Sequence, residues 1–448
     1  MRPRLIGLLF LLLCSHFMGA TVLASTPPIT LEEVLEGTRQ HYPALRQKER
    51  VAEIDQALQK AIWYAYLPQI SLLGNGSYQS EVTYLDLQMP EVEVMPGMPP
   101  VQVPPIDFPK LPHLQYNAYL QATQLIWDGG RTKATQKVIG ADHSSEIAQL
   151  GVELHQVEEQ VITLYFSLLM LQAQQEMQQA LLEEINRQVE RSEVAYQSGL
   201  ASEQDLDEMA LQRVAAEGQL EQLGISEKHL RKSLSILSGQ SGILEQPIIT
   251  PLPKTTEEET PIGQGRRLAP NREEHRLLDT ARWKAEATLQ DFIAEGMPTL
   301  ALYARGGYGR PGLNMMDPKG RPFYMVGLTL KWDFGRLYGV PAQRVRERQS
   351  KEIIELKREA LEQKIEGQVQ KLRGEMEQYD ALLNQDAQLI EIRSRILERA
   401  KVQEAEGFIS KIDYMSRLTA YIHAKQLAEV HQIQKLLAQY RLQHQLGK

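Results

Sequence analysis

Trp127-Asp128-Gly129-Gly130-Arg131 returns about 205 residues later as Trp332-Asp333-Phe334-Gly335-Arg336. Further along each copy, Gly199-x-x-Ser202-x-x-Asp205 returns as Gly407-x-x-Ser410-x-x-Asp413. Upstream, Leu67-Pro68-Gln69-Ile70-Ser71-Leu72 is echoed by Met297-Pro298-Thr299-Leu300-Ala301-Leu302. Three landmarks repeated in one order mark an internal duplication, and each copy runs from a short strand-like stretch into a very long helix-like one.

The helix reading rests on where proline is missing. Of the 23 prolines, none falls between His113 and Gln246 and none after Pro341. A proline costs about 3 kcal/mol in a helix interior, so these tracts are candidates for long helices. Leu150, Leu154, Val157, Val161, Leu164, Leu168 and Leu171 alternate spacings of four and three, the seam of a coiled coil, and Leu182, Ile185 and Val189 resume it. Ile365, Val369, Leu372, Met376, Tyr379 and Leu383 repeat it in the second copy. A helix from Arg131 to about Gln197 would be roughly 100 Å long. So narrow a seam makes no globular core and must pack against other long helices.

Each long helix ends at the repeated glycine element. Gly199 and Gly407 suit a C-terminal cap, and Ser202 with Asp205, like Ser410 with Asp413, has capping-box spacing for a second helix. Each half therefore contains a helical hairpin, at about 131–238 and about 336–444. If several hairpins converge around an axis, Asp205, Glu208 and Asp413 would also form a carboxylate ring that governs passage.

The remaining stretches alternate like strands. Ile70, Leu72, Gly74, Gly76 and Tyr78 lie on one face and Gln69, Ser71, Leu73, Asn75, Ser77 and Gln79 on the other; Leu300, Leu302, Ala304, Gly306 and Tyr308 repeat the apolar face. One apolar and one polar face over about 10 residues is the pattern of a lipid-facing barrel strand. Strands are expected at about 68–80, 115–127, 299–308 and 323–332. Tyr324, Val326, Leu328, Leu330 and Trp332 make a clean apolar face, whereas Tyr119, Gln121, Thr123, Leu125 and Trp127 are mixed, leaving the facing of that strand open. Trp127 and Trp332 fall where strand gives way to helix, a place for interfacial aromatics, and Asp128 and Asp333 are placed to cap the helices that follow. Met89 to His113 holds eight prolines and reads as an extended loop.

Arg2 and Arg4 before the apolar run Leu5–Leu13, with Val22-Leu23-Ala24 beyond, read as a signal peptide over 1–24. The expected division continues with a first repeat at 25–245, a linker at 246–265 and a second repeat at 266–448. Cys14 is the single cysteine and lies in the signal, so the remainder has no thiol chemistry. A net charge of -8 argues against nucleic acid as a partner. No apolar run beyond the signal reaches the roughly 20 residues of a spanning helix, so an exported protein of this kind is soluble or a β-barrel.

Catalytic signals are missing. Gly307-Tyr308-Gly309-Arg310-Pro311-Gly312 matches the dinucleotide fingerprint but has no helix after it, and reads as a strand-end turn. The ten histidines show no close metal-ligand pairing such as H-E-x-x-H, and there is no nucleophile elbow. The sequence points to no enzyme, cofactor or metal.

Together these motifs resemble the TolC-like outer-membrane efflux proteins of Gram-negative bacteria. The resemblance extends over Leu31-x-x-Val34-Leu35, Tyr42-Pro43-Ala44-Leu45, Leu67-Pro68, Trp127-Asp128-Gly129-Gly130-Arg131 and Tyr196-x-x-Gly199. It implies an α+β membrane protein, internally duplicated, with long coiled-coil hairpins forming an α-barrel and four transmembrane β-strands per chain. Three chains would share one twelve-stranded β-barrel in the outer membrane, with the helical tunnel in the periplasm. It further implies a passive exit duct for efflux or type I secretion, with a periplasmic adaptor and an inner-membrane pump of RND, ABC or MFS type as partners. Asp413 matches a gate aspartate of such proteins, and Ser416 stands where members can carry a second one. The gate candidates are thus Asp413, Ser416, Asp205 and Glu208. Gly199, Ser202, Gly407 and Ser410 shape the hairpin turns, and Trp127, Asp128, Gly129, Gly130, Trp332, Asp333 and Gly335 mark the passage from barrel to tunnel. The rival readings are a periplasmic adaptor, which needs one hairpin flanked by lipoyl-like and barrel segments, and a coiled-coil scaffold of the envelope.

Overall fold

The computed structural model describes residues 28–83, 109–199, 201–253 and 269–447. The signal-peptide reading, residues 89–108 of the proline-rich loop and residues 254–265 of the linker lie outside them. The chain forms two compact units: Met1–Gln40 with Val161–Lys254 and Tyr379–Leu437, and His41–Gln160 with Thr255–Gln378 and Ala438–Lys448.

The second of these units carries the four strands found among the described residues: β1 (Gln69–Tyr78), β2 (Leu114–Trp127), β3 (Thr299–Arg310) and β4 (Arg321–Lys331). They form one antiparallel sheet in the order β1-β2-β3-β4. Register settles the facing that the alternation of β2 left open. Ile70 pairs with Ala122, Leu72 with Leu120, Gly74 with Ala118 and Tyr78 with Leu114. Ala118 in turn pairs with Tyr308 and Ala122 with Ala304, while Leu302 pairs with Leu328 and Ala304 with Val326. Residues at paired positions share a face, so the even-numbered residues Leu114 to Ala122 join the apolar side, and Tyr119, Gln121 and Thr123 join the polar one. A bulge between Leu125 and Trp127 then shifts the phase, which is why the odd-numbered series ending in Trp127 looked mixed. Among the described residues nothing covers the apolar face: Leu72 is 76% exposed and Tyr324 83%.

Gly307 and Gly309 of the nucleotide-like motif lie within β3. A Cβ on Gly307 would stand 2.2 Å from the Ala118 carbonyl oxygen and 2.4 Å from the Tyr119 Cβ, so cross-strand packing accounts for this glycine.

Helices complete the same unit. α2 (Pro43–Trp63) packs Ala44 and Val51 against Leu150 of α3 (Arg131–Gln197), and Tyr42 donates a 2.7 Å hydrogen bond to Glu153. α5 (Glu273–Glu295) is tied to α3 by Thr135–Asp291 and Lys284–Asp142 contacts, both 2.7 Å. Ile365, Val369 and Leu372 of α6 (Val340–Ala405) bury against Leu442 of α7 (Lys411–Gln445).

In the other unit α1 (Leu31–His41) and α4 (Glu203–Ser238) join the later part of α3, the end of α6 and most of α7. Val161 and Leu168 of the seam are buried, and so are Ile162, Tyr165, Phe166 and Leu169. Here α3 buries a surface wider than a two-position seam because it meets neighbours on more than one side. The Tyr165 hydroxyl lies 3.0 Å from the Ile29 carbonyl oxygen and 2.8 Å from that of Ile249. Buried Arg231 donates to the carbonyls of Ile243 and Gln246, fastening the chain that leaves α4. No helix among the described residues is long and apolar enough to cross a membrane.

Candidate functional site: strand-to-helix junctions and hairpin turns

The first junction is built by Asp128. One carboxylate oxygen accepts from the Gly130 amide at 2.9 Å and the other from the Thr132 amide at 2.6 Å, capping the start of α3. Burial raises the Asp128 pKa, but hydrogen bonds from Thr132 and Gly130 outweigh it and hold the carboxyl below its ordinary value. Gly129 has φ 69° and Gly130 φ 87°. A Cβ on Gly129 would lie 2.4 Å from that of Met297, so glycine is demanded there twice, by backbone and by space.

The second junction differs. Phe334 stands where the first copy has Gly129, and a 3-10 helix, Phe334–Gly339, intervenes before α6. The expectation that Asp333 caps the following helix fails: its side chain makes no cap hydrogen bond. Phenylalanine does not readily take the left-handed turn that brings the Asp128 carboxylate over its helix, so the second copy leaves the sheet by a tighter coil instead. Trp332 stacks on Phe334 with ring centroids 4.4 Å apart and donates from Nε1 to the Gly296 carbonyl at 3.2 Å. The two motif arginines nevertheless meet on one group. Arg131 pairs with one oxygen of Glu295 at 2.9 Å and Arg336 with the other, joining both copies at the end of α5.

At the hairpin turns the two copies agree. Gly199 and Gly407 have φ 72° and 75°, the left-handed conformation of a helix terminus. The Ser202 hydroxyl accepts from the Asp205 amide at 3.2 Å and donates to the Asp205 carboxylate at 2.8 Å, which also accepts from the Ser202 amide at 2.9 Å. Ser410 and Asp413 repeat all three contacts, at 3.1, 2.8 and 3.3 Å respectively. The Ser202 backbone bond, then its side-chain bond, lowers the Asp205 pKa. Asp205, Asp413 and Ser416 are exposed and Glu208 is half-buried. Beneath the turns Ile185, Val189, Met209, Ala400, Tyr414, Met415 and Leu418 form one core, and Lys411 donates to Ser192 at 3.1 Å. The hairpin ends are thus fastened to one another. Phe408 at the second turn is 75% exposed.

The sequence reading passed over one group. His155 and Glu158, one turn apart on α3, meet His444 in the last turn of α7, with a donor atom from each within 4.8 Å of the others. The sequence shows no close pairing such as H-E-x-x-H, and these three side chains come together only through the fold. His155-x-x-Glu158 was the available signal, but its third member is 289 residues away.

Residues 38–234 match the family model described as Outer membrane efflux protein. None of the curated proteins matches the chain. Among solved structures the fold is similar to that of the outer membrane protein VceC from Vibrio cholerae, at 17% identity over 93% of this chain and 96% of that one, with a TM-score of 0.63. It is also similar to the Campylobacter jejuni CmeC outer membrane channel (13% identity, 93% and 85% covered, TM-score 0.64). The open state of the Neisseria gonorrhoeae MtrE outer membrane channel shares 16% identity, with 93% and 88% covered and a TM-score of 0.60.

Proposed function

Starting from a chain that shares its fold with the TolC-like outer-membrane efflux proteins and matches their family model over residues 38–234, we propose a passive outer-membrane exit duct serving efflux or type I secretion. The observation that carries this is the sheet: four strands with one continuous exposed apolar face, a mainly polar opposite face, and β1 and β4 as edges without a partner strand among the described residues. In lipid an unpaired strand edge is prohibitively costly, so β1 and β4 pair with strands of further copies and the sheet closes on itself. Three copies supply twelve strands. Strands of 10 to 14 residues, tilted as in a barrel, cover the roughly 25 Å apolar band of an outer membrane. Two helical hairpins, α3–α4 and α6–α7, fit the duct better than an adaptor, which calls for one.

The hairpin turns form the periplasmic mouth, where Asp205, Glu208, Asp413 and Ser416 line the entrance and a periplasmic adaptor with an inner-membrane pump opens it. The capping bonds leave this role available, because Asp205 and Asp413 each engage one oxygen, Oδ2, and are exposed. The test is fractionation followed by planar-bilayer recording. A detergent-extracted trimer from the outer membrane with discrete single-channel steps is expected; a water-soluble monomer without conductance refutes the duct.

A further inference from the structure

The cluster formed by His155, Glu158 and His444 is not used by the duct and has the chemistry of a metal site. The three residues join the middle of α3 to the end of α7 within one compact unit. The two imidazoles stack 3.8 Å apart at 13°. His444 Nε2 lies 2.9 Å from the backbone carbonyl oxygen of His155, and since a carbonyl only accepts, that nitrogen carries the proton. Nδ1 of His444 therefore presents its lone pair, 3.9 Å from a Glu158 carboxylate oxygen. His155 Nε2 is buried and has no hydrogen-bond partner. A buried polar atom left without a partner is costly, and a pair of neutral imidazoles with a carboxylate is a donor set for a borderline divalent ion.

We propose that His155, His444 and Glu158 bind one Zn(II)-class transition-metal ion per chain, fastening the last turn of α7 to α3. Binding requires the stacked rings to tilt and the donor atoms to close toward the roughly 3.3 Å edge set by bonds of about 2.0–2.1 Å around a tetrahedral ion. The hydrogen bond from His444 Nε2 to the His155 carbonyl fixes the tautomer and orients the ring, as outer-shell bonds do for metal-bound histidines. Of the other charges facing the pair, Glu159 and Glu274 favour a cation; Arg272 opposes it but is paired with Glu274 and donates to Gln445 at 2.6 Å.

The test uses untagged full-length protein stripped with chelator, titrated with Zn(II) alone and, separately, with Co(II). The expected result is one Zn(II) per chain at micromolar affinity or tighter. His155→Ala and His444→Ala each weaken it at least tenfold, and Glu158→Gln weakens it too. Co(II) added to the unaltered protein should give the visible bands of a low-coordinate site with nitrogen ligands, a readout independent of whether any variant folds. Zn(II) binding that persists unchanged in a folded His155→Ala/His444→Ala variant, or no Co(II) bands in the unaltered protein, overturns the site.

Discussion

Gly129→Ala and Gly130→Ala form a matched pair that isolates what holds the sheet to its first long helix. Both glycines have positive φ, so an alanine at either pays the left-handed penalty of roughly 1–2 kcal/mol. They differ in surroundings. A Cβ on Gly130 meets nothing within 4 Å, whereas on Gly129 it would sit 2.4 Å from the Met297 Cβ and 3.1 Å from the Pro298 carbonyl oxygen. Relieving that overlap means displacing the entry of β3 from the exit of β2, a distortion on the order of 1–3 kcal/mol by analogy with overpacked cores. Gly129→Ala is therefore expected to destabilise by about 2–5 kcal/mol and Gly130→Ala by about 1–2 kcal/mol. The assay is the thermal midpoint of the helical circular-dichroism signal in matched detergent, with Gly130→Ala as the internal control for backbone strain. Equal shifts in the two variants would refute the claim that close approach to Met297, rather than φ alone, dictates glycine at 129.

The gate proposal predicts that Asp413→Ala combined with Asp205→Ala raises single-channel conductance in planar bilayers; Ser202→Ala, by contrast, lowers stability by about 0.5–2 kcal/mol through the lost cap. An unchanged conductance in the double variant would leave the aspartates only their capping role. On the sheet, Leu328→Arg on the bare apolar face is expected to cost about 2–4 kcal/mol near the bilayer centre and to reduce assembled protein on unheated gels, while Asn75→Arg on the polar face is tolerated. Acid should loosen the end of α7. His155 is held down to about 4 from an ordinary 6.5, by burial first and then by His444 and Arg272. Between those values the unfolded chain binds a proton that the folded chain refuses, so this contribution is present above pH 6.5 and is lost as pH falls toward 4. Hydrogen exchange of the last turns of α7, followed against pH, should rise through that window in the parent protein and flatten in His155→Gln.

The duplicated elements show how far one-dimensional reading reaches. Helix, turn and strand alternation are local: the absence of proline, the left-handed glycines at 199 and 407, and serine three residues before aspartate all act within a few residues. The hairpins and both capping boxes were accordingly legible from the chain. The apolar faces of β1, β3 and β4 were legible too, because no bulge shifts the phase of β1 against β2 or of β3 against β4.

What the sequence left open was decided across distance. The facing of β2 follows from its pairing with β1 and β3, since a bulge beside Trp127 breaks the alternation that a single strand would have to display. Asp128 and Asp333 occupy equivalent places in the repeat, yet only the first caps a helix, because Gly129 permits a turn that Phe334 does not. That Arg131 and Arg336 share Glu295, and that His444 reaches His155 and Glu158, depends on packing between elements far apart in the chain. Periodicity and turn chemistry specify each segment's own conformation; which segments become neighbours is settled only when apolar surfaces and buried polar groups find partners in three dimensions.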